Sequence, residues 1–177
     1  MKRRWSLVVM GAWLMGSICM SVVATENFYT VDRLLAAPGK PAFADLVQKL
    51  GQPAARELLR YLSSELNRLY FQMWNVAQIV LGVAALWLLA GFRKQDPAGK
   101  LVGAMLAIVV LMLVYLTPAI VSLGRELDFV PRDPAPPGMS RFWVLHAAYT
   151  SLEMLKLAVG LLVAGLIVRR SASALAA

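Results

Sequence analysis

Four long stretches almost free of charge decide what this chain can fold into. Residues 5–24, 69–92 and 101–124 contain no Asp, Glu, Lys or Arg, and residues 142–168 contain only Glu153 and Lys156. Each run reaches the ~20 residues a helix needs to cross the hydrocarbon of a bilayer. A soluble domain is about 45–50% apolar and about 25% charged, whereas 59% of this chain is hydrophobic and 16% charged. The excess belongs in lipid, and little chain remains for a separate soluble domain. The expected architecture is a single membrane domain over 1–177: an all-α, up-and-down bundle of four spans with an amphipathic external helical segment at 41–68.

The first run has two readings. Lys2, Arg3 and Arg4 before it and the small residues around Ala24 fit a cleaved export signal. Trp5, Trp13 and the unbroken helix-compatible stretch 26–36, which stops only at Pro38-Gly39, favour a retained anchor. Cys19 is a poor lipidation site because Ile18 stands where a small residue is needed, and a lone cysteine excludes an intramolecular disulfide. Charge then orients the bundle, since short cytoplasmic segments collect Lys and Arg. With the N-terminus inside, the inner segments hold Lys2, Arg3, Arg4, Arg93, Lys94, Lys100, Arg169 and Arg170 against Asp96 alone. The outer segments 25–68 and 125–141 are nearly balanced. Both termini are therefore expected on the cytoplasmic side of the cell membrane. The basic character answers to orientation and lipid headgroups, and no basic patch interleaved with aromatics points to nucleic acid.

The outer segments differ in kind. Pro41 can open a short helix that Gly51 ends, and Pro53 can open the next. Leu58, Leu59, Leu62, Leu66 and Leu69 then recur at helical spacing. That stripe should pack on the outer mouth of the bundle or lie at the interface, or else present a docking surface to a partner. Residues 130–140 hold Pro131, Pro134, Pro136 and Pro137 and should form an irregular strap.

Polar side chains inside the spans carry the functional signal, because an unpaired polar group in hydrocarbon is costly and should face protein or water. They gather in the outer halves: Ser17, Cys19 and Ser21; Gln72, Asn75 and Gln78; Tyr115, Thr117 and Ser122; His146, Tyr149, Thr150, Glu153 and Lys156. The inner halves hold little beyond Ser6. A cavity open at one end follows. His146, Tyr149, Glu153 and Lys156 are spaced to share one helix face, so they lead a set of ligand-binding candidates completed by Gln72, Asn75 and Tyr115. Two other readings stand beside this one. Glu153 precedes Lys156 by one turn, so the two can neutralise each other within the helix, or they can pair with another membrane subunit. Met10, Met15, Cys19 and Met20 make a soft-metal site with His146 conceivable, although Met is also an ordinary filler of apolar gaps. The metal and any cofactor are unknown, and one His cannot supply both axial ligands of a b-type haem. No nucleophile–base pair or phosphate-binding loop is visible, which leans away from an enzyme.

Gly11-Ala12-Trp13-Leu14-Met15-Gly16 in the first span, Arg68-Leu69-Tyr70-Phe71 opening the second and Phe142-Trp143-Val144-Leu145-His146 opening the fourth carry a family likeness. In these the chain resembles the small four-helix membrane proteins of the CopD-like superfamily, in particular an uncharacterised bacterial group related to a eukaryotic transmembrane protein associated with platinum-drug tolerance. It differs from that pattern in having no His in the first span, and in placing Tyr149 and Glu153 where small or amide residues are usual. The resemblance implies the four-helix fold and a membrane location. The expectation is a non-enzymatic membrane protein whose outer-half polar pocket takes a small ligand, ion or cofactor. The alternative is a structural or assembly subunit of a larger complex, with a membrane protein or a second copy of the chain as partner.

Overall fold

Proline and glycine set the helix boundaries. In the computed structural model, which describes residues 2–90 and 96–173, helix α1 (Lys2–Ala36) runs unbroken through the first apolar stretch and stops short of Pro38-Gly39. Helix α2 (Pro41–Leu50) starts on Pro41, where a missing N–H does no harm. Gly51 turns the chain into α3 (Gln52–Leu89) with a φ of 85°. Glycine adopts that backbone conformation without strain. Arg93, Lys94 and the last two positions of the second apolar run lie outside the described residues. Asp96 caps helix α4 (Pro97–Leu111) by accepting from the Ala98 N–H at 2.9 Å, as a short acidic side chain does at a helix start. The proline-rich loop then leads to α6 (Met139–Ser173).

The third span is interrupted. Pro118 has no N–H to offer the preceding turn, and its ring crowds that turn's carbonyl. The backbone answers by widening into a π turn over Met112–Leu116, with the Thr117 N–H reaching back five residues to Met112, before α5 (Thr117–Glu126) resumes. Through this wide turn the adjacent residues Leu116 and Thr117 are both buried, each 5% exposed. Thr117 is thereby brought inside the bundle.

Helix α1 packs against α3 and α6, and α4 packs against the same two, so the spans form a four-cornered, up-and-down bundle. Its surface inverts that of a soluble bundle: Val80, Val114 and Leu161 face outward at 63%, 70% and 66% exposure, while Asn75, Gln78 and Lys156 are enclosed. Four helices are long and apolar enough to cross a bilayer. The chain is a multi-pass, all-helical membrane protein in contact with lipid. At the end that holds the chain termini Met10, Ala85, Val102, Met105, Val109 and Val163 make an apolar core. Gly82 allows close approach there, since a Cβ at that position would stand 2.7 Å from Leu106 and 2.9 Å from Trp13.

The helices overshoot the bilayer on one side. Helix α3 is 38 residues long. At a rise of about 1.5 Å per residue it extends about 57 Å. The hydrocarbon it crosses is only about 30 Å thick. The surplus pairs with the end of α1 and with α2 around Val31, Leu35, Val47 and Ala55. The external segment is thus continuous with the second span from residue 52 onward. Its leucine stripe is divided: Leu59 packs against that cluster, whereas Leu58 and Leu62 are 53% and 55% exposed. Small and amide side chains meet α1 instead. Ser63 Oγ donates to the Asn27 carbonyl at 3.1 Å, Asn27 Nδ2 donates to Asn67 Oδ1 at 2.6 Å, and Asn67 Nδ2 donates to the Ala24 carbonyl at 2.9 Å. Two backbones approach closely where side chains are small, and Leu58 and Leu62 are left at the flank. Arg56 and Arg60 both hold Asp32, at 2.9 and 3.1 Å. Leu62→Glu should therefore change unfolding stability in detergent by less than about 0.5 kcal/mol. Ala55→Glu, which buries a charge against α1, should lose about 2 kcal/mol or more. The reverse ordering would show that Leu62 lies on the packed face after all.

Candidate functional site

Tyr149, Glu153 and Lys156 continue into Gly160, Val163 and Ile167 at alternating steps of four and three, the spacing that keeps one helical stripe facing a partner. All six are buried, with Glu153 at 7% and Lys156 at 1% exposure. An ammonium near the middle of a span needs full compensation. Lys156 Nζ receives it from Glu153 Oε1 at 2.7 Å and from Gln78 Oε1 across the bundle. The same Gln78 oxygen accepts the indole N–H of Trp13 at 2.9 Å. One amide of α3 thus ties α1 to α6.

The network continues toward the end of the bundle that carries α2. Gln78 Nε2 donates to Asn75 Oδ1 at 3.5 Å, and the Tyr149 hydroxyl donates to the same oxygen at 3.4 Å. Asn75 Nδ2 donates to Thr117 Oγ1 at 2.8 Å. The ring of Phe71 meets Tyr149 edge-on, with centroids 5.4 Å apart. Every span therefore contributes to one chain of hydrogen bonds: Trp13 from α1, Asn75 and Gln78 from α3, Thr117 from α5, and Tyr149, Glu153 and Lys156 from α6. Two buried oxygens are left over. Glu153 Oε2 and Ser17 Oγ have no hydrogen-bond partner among the described residues. Ser17 is one turn from Trp13 on α1 and Glu153 one turn from Lys156 on α6, each on the side away from the chain termini. An ammonium carries three N–H bonds, and Lys156 has two acceptors. The third N–H of Lys156 and the second oxygen of Glu153 thus leave the cluster one donor and one acceptor for a small guest.

Above the cluster lies a ring of charges. Arg68, 11% exposed, is held by Asp128 at 2.8 Å and by Glu65, and Arg125 approaches the second oxygen of Glu65 at 3.4 Å. Arg125 and Arg68 together keep the Glu65 carboxyl below the ordinary carboxylate range. The ring lies toward the end of the bundle that carries α2, and an open groove runs along the side between α3 and α5, lined by Gln72, Thr117, Ser122 and Arg125 among others.

Of the candidates chosen from sequence, Tyr149, Glu153, Lys156 and Asn75 come together here. His146 does not: it lies exposed beyond the end of the buried stripe, stacked on Phe142 with centroids 5.6 Å apart. Gln72 is exposed in the lateral groove, and Tyr115 faces outward at 57% exposure. The soft-metal candidates separate as well, with Met10 in the core and Met15 and Cys19 on the exposed face of α1. Gln78, Trp13 and Thr117 belong to the cluster although sequence reasoning did not select them. Gln78 had a legible signal, a mid-span amide one turn from Asn75. Trp13 had none, since an indole in an apolar run reads as packing. Ser21, Thr25 and Thr150 stay outside because each hydroxyl donates to the carbonyl four residues back in its own helix, at 2.9–3.0 Å, a bond that competes with any cross-helix partner. Compared with known proteins, the chain matches no family model, no curated protein and no solved structure.

Proposed function

We propose that the protein is a non-enzymatic membrane protein that binds a small hydrogen-bonding ligand or ion at the buried cluster of Tyr149, Glu153, Lys156, Asn75 and Gln78. It is read as sitting in the cell membrane with both termini cytoplasmic, so that the cluster opens toward the outer side. The observation that carries this reading is Glu153 Oε2, a carboxylate oxygen buried near mid-span without a partner among the described residues. A buried acceptor left unsatisfied costs about 1–3 kcal/mol, more when charged, and a pair kept only for stability would use both oxygens. A water, a hydroxyl or an amide placed between Glu153 Oε2 and the third N–H of Lys156 would satisfy both.

Infrared difference spectra of the chain in bilayers test this. The carboxylate band lost in Glu153→Gln should shift within minutes on exchange into D2O and shift again on addition of acetamide, a neutral probe with one donor and one acceptor face. A band indifferent to both over hours would make the cluster a sealed structural bridge. One observation favours a second reading as a subunit of a larger membrane complex: Leu46, Leu50, Leu58 and Leu62 are all more than half exposed on the part that overshoots the bilayer. Blue-native electrophoresis of native membranes would then show a discrete large species, where the binding reading expects the chain alone or as a small oligomer.

A further inference from the structure

The lateral groove between α3 and α5 has a volume of about 540 Å³ and is lined by Gln72, Leu113, Thr117, Pro118, Val121, Ser122 and Arg125. Its chemistry changes with depth. Arg125 stands at the outer end with its side chain 60% exposed, held among the described residues by a 3.4 Å approach to a Glu65 oxygen. Gln72 and Ser122, both exposed, come next. Pro118, Val121 and Leu113 follow toward mid-membrane, and Leu113 lies about 18 Å of helix below Arg125. A cation at headgroup level, amide and hydroxyl below it and an apolar floor repeat the order of a glycerophospholipid: phosphate, ester carbonyls, acyl chain. At the wall, Thr117 Oγ1 accepts from Asn75, while its own proton has no acceptor among the described residues.

We infer that this groove is a binding site for an anionic glycerophospholipid of the adjoining leaflet, its phosphate on Arg125, its ester groups against Gln72 and Ser122, and one acyl chain along Leu113, Pro118 and Val121. Charge complementarity selects the headgroup, and the apolar floor selects a lipid over a free anion. The guanidinium gives a phosphate two parallel N–H bonds that a single distant carboxylate oxygen does not use. The inference needs only the membrane placement of the spans and does not depend on ligand binding at Glu153.

The test uses the purified full chain in detergent micelles doped with phosphatidylglycerol, phosphatidylcholine or inorganic phosphate, with retained lipid read by native mass spectrometry. Phosphatidylglycerol should be held about tenfold more tightly than phosphatidylcholine, the worth of one good charge-assisted contact, and inorganic phosphate should not compete. Arg125→Gln should remove the preference. Ser122→Trp, which fills the groove from an exposed position, should lose the tightly held lipid of either kind with helicity unchanged. Equal retention of the two lipids by the parent would overturn the site. So would an equal loss of preference in Arg141→Gln, an exposed arginine elsewhere on the same side, because diffuse charge would then explain it. Competition by phosphate alone would make the site one for a free anion and refute the lipid.

Discussion

One ammonium in the middle of the membrane organises this protein. A lysine at mid-span costs about 2.5–3.5 kcal/mol to insert on translocon scales, so Lys156 is tolerable only where acceptors converge on it. Glu153 supplies the charge from the turn before, and Gln78 supplies a carbonyl from across the bundle. The demands then propagate. Gln78 oriented toward Lys156 leaves its N–H for Asn75, and Asn75 in turn needs an acceptor, which Thr117 provides. Thr117 reaches that place because Pro118 forces the third span to widen by a residue. A break in one helix thus serves the charge on another.

The architecture was legible in the sequence and the composition of the site only in part, for reasons of helix phase. Four runs almost free of charge fix four spans almost regardless of detail, and Pro41, Gly51 and Pro53 mark helix ends by backbone chemistry alone. Which face of each span points inward is harder. Gln72, Asn75 and Gln78 recur every three residues, and three residues fall about 60° short of a full turn at about 3.6 residues per turn. They cannot all share a face, and the packing of α3 buries the last two and exposes the first. His146 meets the spacing rule yet lies on the exposed side of α6, at a level where Leu145 is the residue that packs inward, so its neighbours are Phe142 and Trp143 on its own helix. Tyr115 faces lipid, and Thr117 two residues on faces in, a difference that the π turn shapes and that no periodic template contains.

The outer extension obeys a different rule. In lipid, and just above it, helices join where small or amide side chains let backbones close in. The contact of α1 with α3 follows Asn27, Ser63 and Asn67, while Leu58 and Leu62 are pushed to the flank. A hydrophobicity pattern read as if for a soluble core selects the leucines, which is why Leu58 and Leu62 stand out in the sequence as a packed face and are not one. The same inversion makes buried polar residues the informative ones: the spans are greasy on the outside, and specificity lies in the few hydrogen-bonding groups within.

The account stands on the coupling between Glu153 and Lys156. A double-mutant cycle measures it directly, with Glu153→Gln, Lys156→Met and the combined variant unfolded at equilibrium in mixed micelles. Removing either partner strands the other in low dielectric, so each single variant should lose about 3 kcal/mol or more, and the double variant should lose less than either single. Single losses that simply add in the double variant, or single variants as stable as the parent, would mean that the two groups are solvated independently, and the organising role given to Lys156 would be wrong.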